Sequence, residues 1–216
     1  MQIEKKVVLI GAEDAPLFRK VLAEMEFEIT EDKSWQAGDL RNFKNFEATS
    51  PEEEVIKLSE RKILLFLNNG KWSNKIIVSF HSAAIFDGTA VESSQTPSEL
   101  ERTIVILNGH VYHYFSCISM AIIGEDGQLD SSLAETVTIY PEVGRLPRDD
   151  IKSFVNSIPP DKIVINSPGC YPLVGGFRQL LVEPQRDVVD YKRSMKRAIQ
   201  QLFEKAKNKL AEAAVS

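Results

Sequence analysis

The sequence predicts a mixed α/β fold, a twisted sheet flanked by helices. Three observations predict it. Short β-branched runs alternate along the chain with helical patterns. Prolines placed just after Ser50 and Thr96 mark helix starts. Asp87-Gly88 marks a tight hairpin between two strand-like runs.

Each element has its own signal. Lys6 to Gly11 (KVVLIG) reads as a buried first strand, too short and too quickly followed by acids to be a signal peptide. Pro16 opens a helix with Leu17, Val21, Leu22 and Met25 on one face. Residues 27–30 alternate like a strand, and residues 31–50 read as a long polar loop. Ser50-Pro51-Glu52-Glu53 is a helix start, with Ser50 as cap and Glu53 at the capping-box position; Asn69-Gly70 ends that helix. A strand then runs from Ile76 to Val78, breaks at the polar pair His81-Ser82, and resumes over 83–86 before the Asp87-Gly88 turn. Thr96-Pro97-Ser98-Glu99 starts a further helix that Leu107-Asn108-Gly109 closes.

Beyond it, Val111–Ile123 and Leu133–Tyr140 read as paired strands around the turn at Glu125-Asp126-Gly127. A short helix begins at Leu146-Pro147 and runs to Val155. Pro159-Pro160 breaks the chain, and Lys162–Ile165 reads as a short strand. The turn-rich stretch Ser167 to Pro172 follows, then Val174-Gly175-Gly176, which suits a close backbone approach. The C-terminal helix is expected over about 192–214, with Met195, Ile199, Leu202, Phe203, Ala206 and Leu210 on one face.

Composition bounds the function. The chain has 216 residues, of which 43% are hydrophobic and 26% charged, enough for one domain or one compact two-lobed domain. A net charge of -5 argues against a nucleic-acid-binding surface, and the basic positions after Lys192 read as a solvated helix face. No apolar run approaches the roughly 18 residues of a membrane span. Cys117 and Cys170 lack metal-ligand spacing, which makes a reducing cytoplasm the expected compartment. His110 and His113 stand three apart, and on a strand that spacing places them on opposite faces, not on one metal.

From Val7 to about Asp190 the order of elements resembles the Maf family of nucleotide pyrophosphatases. The likeness is carried by Lys75 to Met120, where Asp87-Gly88 falls on the family's hairpin, Ser98-Glu99 on its acidic helix start and Leu107-Asn108-Gly109 on its L-S-G turn. Thr136-Val137-Thr138-Ile139 and Leu146 to Ile151 resemble its later strand and helix, and Gly169, Tyr171 and Gly175 match anchors of its K-A-G-A-Y-G-I-Q-G stretch. The resemblance implies a single Maf-like domain over 1–216, a mixed twisted sheet with a central cleft, and a homodimer. It implies Mg²⁺- or Mn²⁺-assisted hydrolysis of a nucleoside triphosphate to a monophosphate and diphosphate. Such chemistry needs cations on the phosphate chain and carboxylates on the metal.

Several of those parts are replaced here. His81 stands where the family has a metal-serving aspartate, and Glu13, Asp14, Leu17 and Phe18 fall in the phosphate-loop region that holds serines and arginines. Glu92-Ser93-Ser94 replaces a G-K-P segment, Pro168 a lysine and Val174 a glutamine. The substitutes the resemblance leaves are His81, Lys162 and Arg19 for catalysis, with Glu13, Ser82, Glu92, Gly169 and Tyr171 for substrate contact; it names no metal ligand. Each also has an ordinary reading: His81 as a polar residue bonded to backbone, Glu13 and Asp14 as acids at a helix start. Two functions follow as expectations: a Maf-like pyrophosphatase of weakened or altered activity, and an inactive Maf-like module that binds a ligand or protein.

Overall fold

The computed structural model describes residues 6–10, 16–31, 48–68, 72–73, 75–168, 173 and 175–213. Strand β1 (Lys6–Ile10) leads through helix α1 (Pro16–Glu24) to β2 (Glu28–Glu31). Helix α2 (Pro51–Asn68) then leads to β3 (Lys75–Phe86), which turns into β4 (Thr89–Val91). Helix α3 (Pro97–Leu107), strands β5 (His113–Ile123) and β6 (Leu129–Ile139), and helix α4 (Arg148–Ser157) follow. Helix α5 (Pro184–Ala213) comes last.

The strands form one six-stranded open mixed sheet in the order β2-β1-β3-β5-β6, with β4 on β3. Strand β1 pairs in parallel with both β2 and β3, and Ile10 stands opposite Ser79 in that register. The expected α/β class with a mixed sheet and flanking helices is what the chain adopts.

Local chemistry explains most element boundaries. Asp87 and Gly88 take φ of 49° and 69°, the left-handed pair a two-residue hairpin demands. Thr96 accepts from the Glu99 amide while Glu99 reaches back to the Thr96 amide, closing the capping box. At α2 the box is shifted by one residue. Ser50 Oγ accepts from the Glu53 amide, but the Glu53 carboxylate takes the amide and hydroxyl of Thr49. Gly109, at φ 74°, supplies the left-handed stop after α3.

Three expectations need correction. Lys162–Ile165 is not a strand: Pro160–Lys162 and Val164–Asn166 are 3₁₀ turns. The paired prolines start a series of i→i+3 bonds, from Lys162 N to Pro159 O and from Asn166 N to Ile163 O, which overrides the β-branched composition. The C-terminal helix begins at Pro184, not Lys192, with the proline in the first turn where its missing N–H costs nothing. The pair His81-Ser82 does not interrupt β3, which runs unbroken from Lys75 to Phe86.

The chain divides into two compact units. The first comprises Met1–His81, Ser116–Val137 and Lys192–Ser216; the second comprises Ser82–Phe115 and Thr138–Tyr191. In the first, Val8, Ile10, Ile63, Phe66, Ile77, Ala121 and Ile123 form a core between α2 and the sheet, with Trp72 stacked on Phe66. In the second, α3 and α4 pack together and bury Leu100, Ile104, Leu107, Ile151, Phe154 and Val155. There Gly176 meets Asn166 so closely that a Cβ would lie 2.6 Å from Asn166 Oδ1, the close approach expected of that glycine stretch.

Candidate functional site

The topology itself singles out one place. From β1 the chain goes to β2 on one flank, and from β2 it passes to β3 on the other flank of β1. The strand order reverses there, so the carboxyl ends of β1 and β3 border a topological switch point, where open α/β sheets bind ligands. Strand β1 ends at Ile10 beside Ser79, and β3 carries Phe80 and His81 past that end.

Helix α2 delivers a charge to this point. Its buried face carries Val55, Ser59, Lys62, Ile63 and Phe66, the spacing of a core-facing stripe. Lys62 is only 4% exposed, and its Nζ donates to the Phe80 carbonyl at 2.5 Å. One turn earlier, Ser79 Oγ donates to the Ser59 carbonyl at 2.6 Å and lies 3.0 Å from Ser59 Oγ. Ser59 Oγ also donates to the Cys117 carbonyl at 3.3 Å. Buried polar bonds thus fix α2 against consecutive residues of β3, and they place the ammonium next to the end of β1. Phe80 is held from α1 by stacking on Phe18, with centroids 5.0 Å apart. The apolar Phe18 is therefore part of the core.

His81 follows directly. The residue is half-buried. Burial pushes its pKa down to about 3, and the neighbouring Lys62 charge acts in the same direction. The imidazole is neutral at physiological pH. Cys117, buried behind Ser59, has its thiol pKa raised by burial and is inert as a nucleophile.

The described sequence-predicted positions fall in both units. Arg19, on α1, and His81 belong to the first unit; Ser82, Glu92 and Lys162 belong to the second. Glu13, Gly169 and Tyr171 lie outside the described residues. Ser82 Oγ is hydrogen-bonded with the Tyr114 hydroxyl at 2.9 Å. Glu92 is exposed just after β4. Lys162 is exposed and pairs with its neighbour Asp161 at 3.3 Å. His110 lies against Phe86 and His113 against Tyr140, so the two histidines have separate surroundings.

Lys62 is the residue that sequence reasoning missed. Its signal was a lysine on the apolar stripe of α2, three residues after Ser59, where a solvated lysine does not belong. A second pair of buried polar groups stands apart in the second unit. The Tyr112 hydroxyl and Asp187 Oδ2 are buried without a hydrogen-bond partner. Burial, with the nearby Tyr114 and Asp187, raises the Tyr112 pKa well above that of a free phenol.

Among the described residues, the groups around Lys62 offer no ligand set for the implied divalent metal. Mg²⁺ and Mn²⁺ want several carboxylate or carbonyl oxygens. The described groups are an ammonium, a neutral imidazole, the Phe80 carbonyl and two serine hydroxyls, with no carboxylate among them. Among the described residues no three His, Cys, Asp or Glu side chains gather where they could hold a metal ion.

A groove of about 810 Å³ in the first unit is lined by Leu64, Leu67, Trp72, Gly127 and Leu129. It lies beside the start of β3, whereas His81 stands in the middle of that strand. Its charged lining residues, Arg61, Glu125 and Asp126, are exposed, so the chemistry favours the buried Lys62 site. Among the described residues no helix is long and apolar enough to cross a membrane. No protein-family model matches the chain, and no curated protein matches it.

Proposed function

We propose that the protein is a divergent Maf-like nucleotide-binding protein. In this reading it takes the phosphate chain of a nucleoside triphosphate at the β1–β3 switch point and releases diphosphate at a weakened rate. One observation carries it: an ammonium buried to 4% exposure at the carboxyl end of the parallel strands, held there by the Phe80 carbonyl. Burying a charge is costly, and proteins retain buried charges where pairing or ligand binding uses them. The resemblance over Lys75 to Met120 supplies the substrate class.

The purified protein, offered each common nucleoside triphosphate, is expected to release diphosphate slowly. Lys62→Met is expected to lower that rate by at least about 10-fold, the loss of one charged donor to the phosphate chain. Equal rates in wild type and Lys62→Met contradict the proposal.

The neutral state of His81 favours a second reading, an inactive Maf-like binding module. A base whose conjugate acid has a pKa of about 3 is poorly matched to neutral pH. Tight nucleotide binding with no diphosphate release selects this reading over the first.

A further inference from the structure

We propose that the second unit carries a self-association surface. Val111, His113, Tyr140, Glu142 and Val182 form one sheet face there, and it packs against the same face of a second copy of the chain. This surface is independent of the nucleotide reading above.

Backbone pairing builds the face. Val111 stands antiparallel to Glu142, and Val143 to Leu181. Tyr112 N donates to Pro141 O at 3.1 Å and Val182 N to Glu142 O at 2.9 Å, so three segments lie side by side. Side chains alternate across such a ribbon. Tyr112 and Val143 at 0% and Leu181 at 6% exposure point inward. Val111, Glu142 and Val182 therefore share the outer side. His113 and Tyr140, two residues further along the same segments, extend it, with their rings 4.8 Å apart. Val111 is 50% exposed, Val182 52% and Tyr140 61%.

A single exposed valine is ordinary, but two valines and a tyrosine on adjacent bonded segments make a patch, and such patches mark interaction sites. The tyrosine offers a large apolar area with few rotatable bonds. The two polar members of the face select the occupant by charge complementarity. Glu142 is exposed and accepts hydrogen bonds, and His113, on the neighbouring segment, donates them. A uniformly acidic partner would be opposed by Glu142, and a uniformly basic one would leave His113 without an acceptor. A two-fold contact matches both, because each patch meets itself. Glu142 of one copy then meets His113 of the other, twice, around an apolar centre of Val111, Tyr140 and Val182.

Sedimentation velocity of the full chain, from about 1 to 200 µM without ligand, tests this. A dimer whose share rises with concentration and then stops at two copies is expected. Tyr140→Asp and Glu142→Lys, both at exposed positions, are each expected to weaken it by at least about 10-fold. Val105→Asp, on the exposed side of α3, is expected to leave it unchanged. A monomer at every concentration overturns the proposal. Assemblies that keep growing past two copies show a head-to-tail contact and also overturn it. A dimer that Tyr140→Asp leaves intact, or that Val105→Asp weakens as much, places the contact on another surface and overturns it. Should Tyr140→Asp fail to melt cooperatively, Val182→Asp takes its place with the same expectation.

Discussion

Two clusters of buried polar groups, one in each unit, are satisfied to different degrees. In the first, Ser59, Lys62 and Ser79 lie in the core and each is bonded, helix to strand. In the second, the Tyr112 hydroxyl and Asp187 Oδ2 are equally buried and have no hydrogen-bond partner. A satisfied buried network fixes one packing and positions its members; an unsatisfied group is a standing cost to the fold. The contrast identifies which buried polar residues set geometry and which weaken the structure that holds them.

The largest expected effect concerns His81. Its folded pKa lies near 3, below the ordinary value of 6.5, so the unfolded chain binds its proton first. The stability this group contributes is present above pH 6.5 and is lost as pH falls from there toward 3. Allowing for its partial exposure, the loss across that window is on the order of 3 kcal/mol. Urea unfolding of wild type and His81→Gln from pH 7 to pH 4 measures it. The difference between the two profiles isolates this group, and parallel profiles contradict the account.

A matched pair of hydroxyl deletions sharpens the comparison itself. Ser79→Ala removes a bonded hydroxyl and is expected to cost about 1 kcal/mol or more. Tyr112→Phe removes an unbonded one and is expected to be neutral or to stabilise by up to about 1 kcal/mol. Opposite signs in denaturant midpoints at constant m-value support the distinction. A clear loss in Tyr112→Phe shows that its hydroxyl is satisfied in solution.

The smallest effect lies at the surface. Glu24 pairs with Lys192 and with Lys196, the latter at 2.8 Å, and those lysines hold its pKa down at about 2. A depressed carboxylate contributes stability above its unfolded value of 4.5, lost as pH falls from there toward 2. Glu24→Gln should flatten only that acid limb, and added salt should shrink the difference between the two proteins.

These regions also differ in how readably the sequence encodes them. Asp87-Gly88 and Thr96-Pro97-Ser98-Glu99 were legible because their conformations follow from the residues themselves: two left-handed positions, and a reciprocal cap. Lys162–Ile165 was misread because β-branched composition is weaker evidence than the paired prolines that set the local bonds. The start of the last helix was missed because the pattern search began at the apolar stripe, past Pro184. The site was half legible. His81 drew attention as a substitution within a strand, but its state depends on burial and then on Lys62, nineteen positions earlier and brought near through the α2–β3 packing. A long-range contact of that kind leaves no local pattern. The one hint was a lysine on an apolar stripe.

The central claim is that the switch point beside Lys62 and His81 is an anion site. Backbone amide chemical shifts, followed as tripolyphosphate is added in EDTA, test it most directly. The account predicts that the largest changes fall on Ser59 to Ile63 of α2 and Val78 to His81 of β3. Changes confined to the groove at Trp72 and Leu129, or no change at saturating anion, would contradict it.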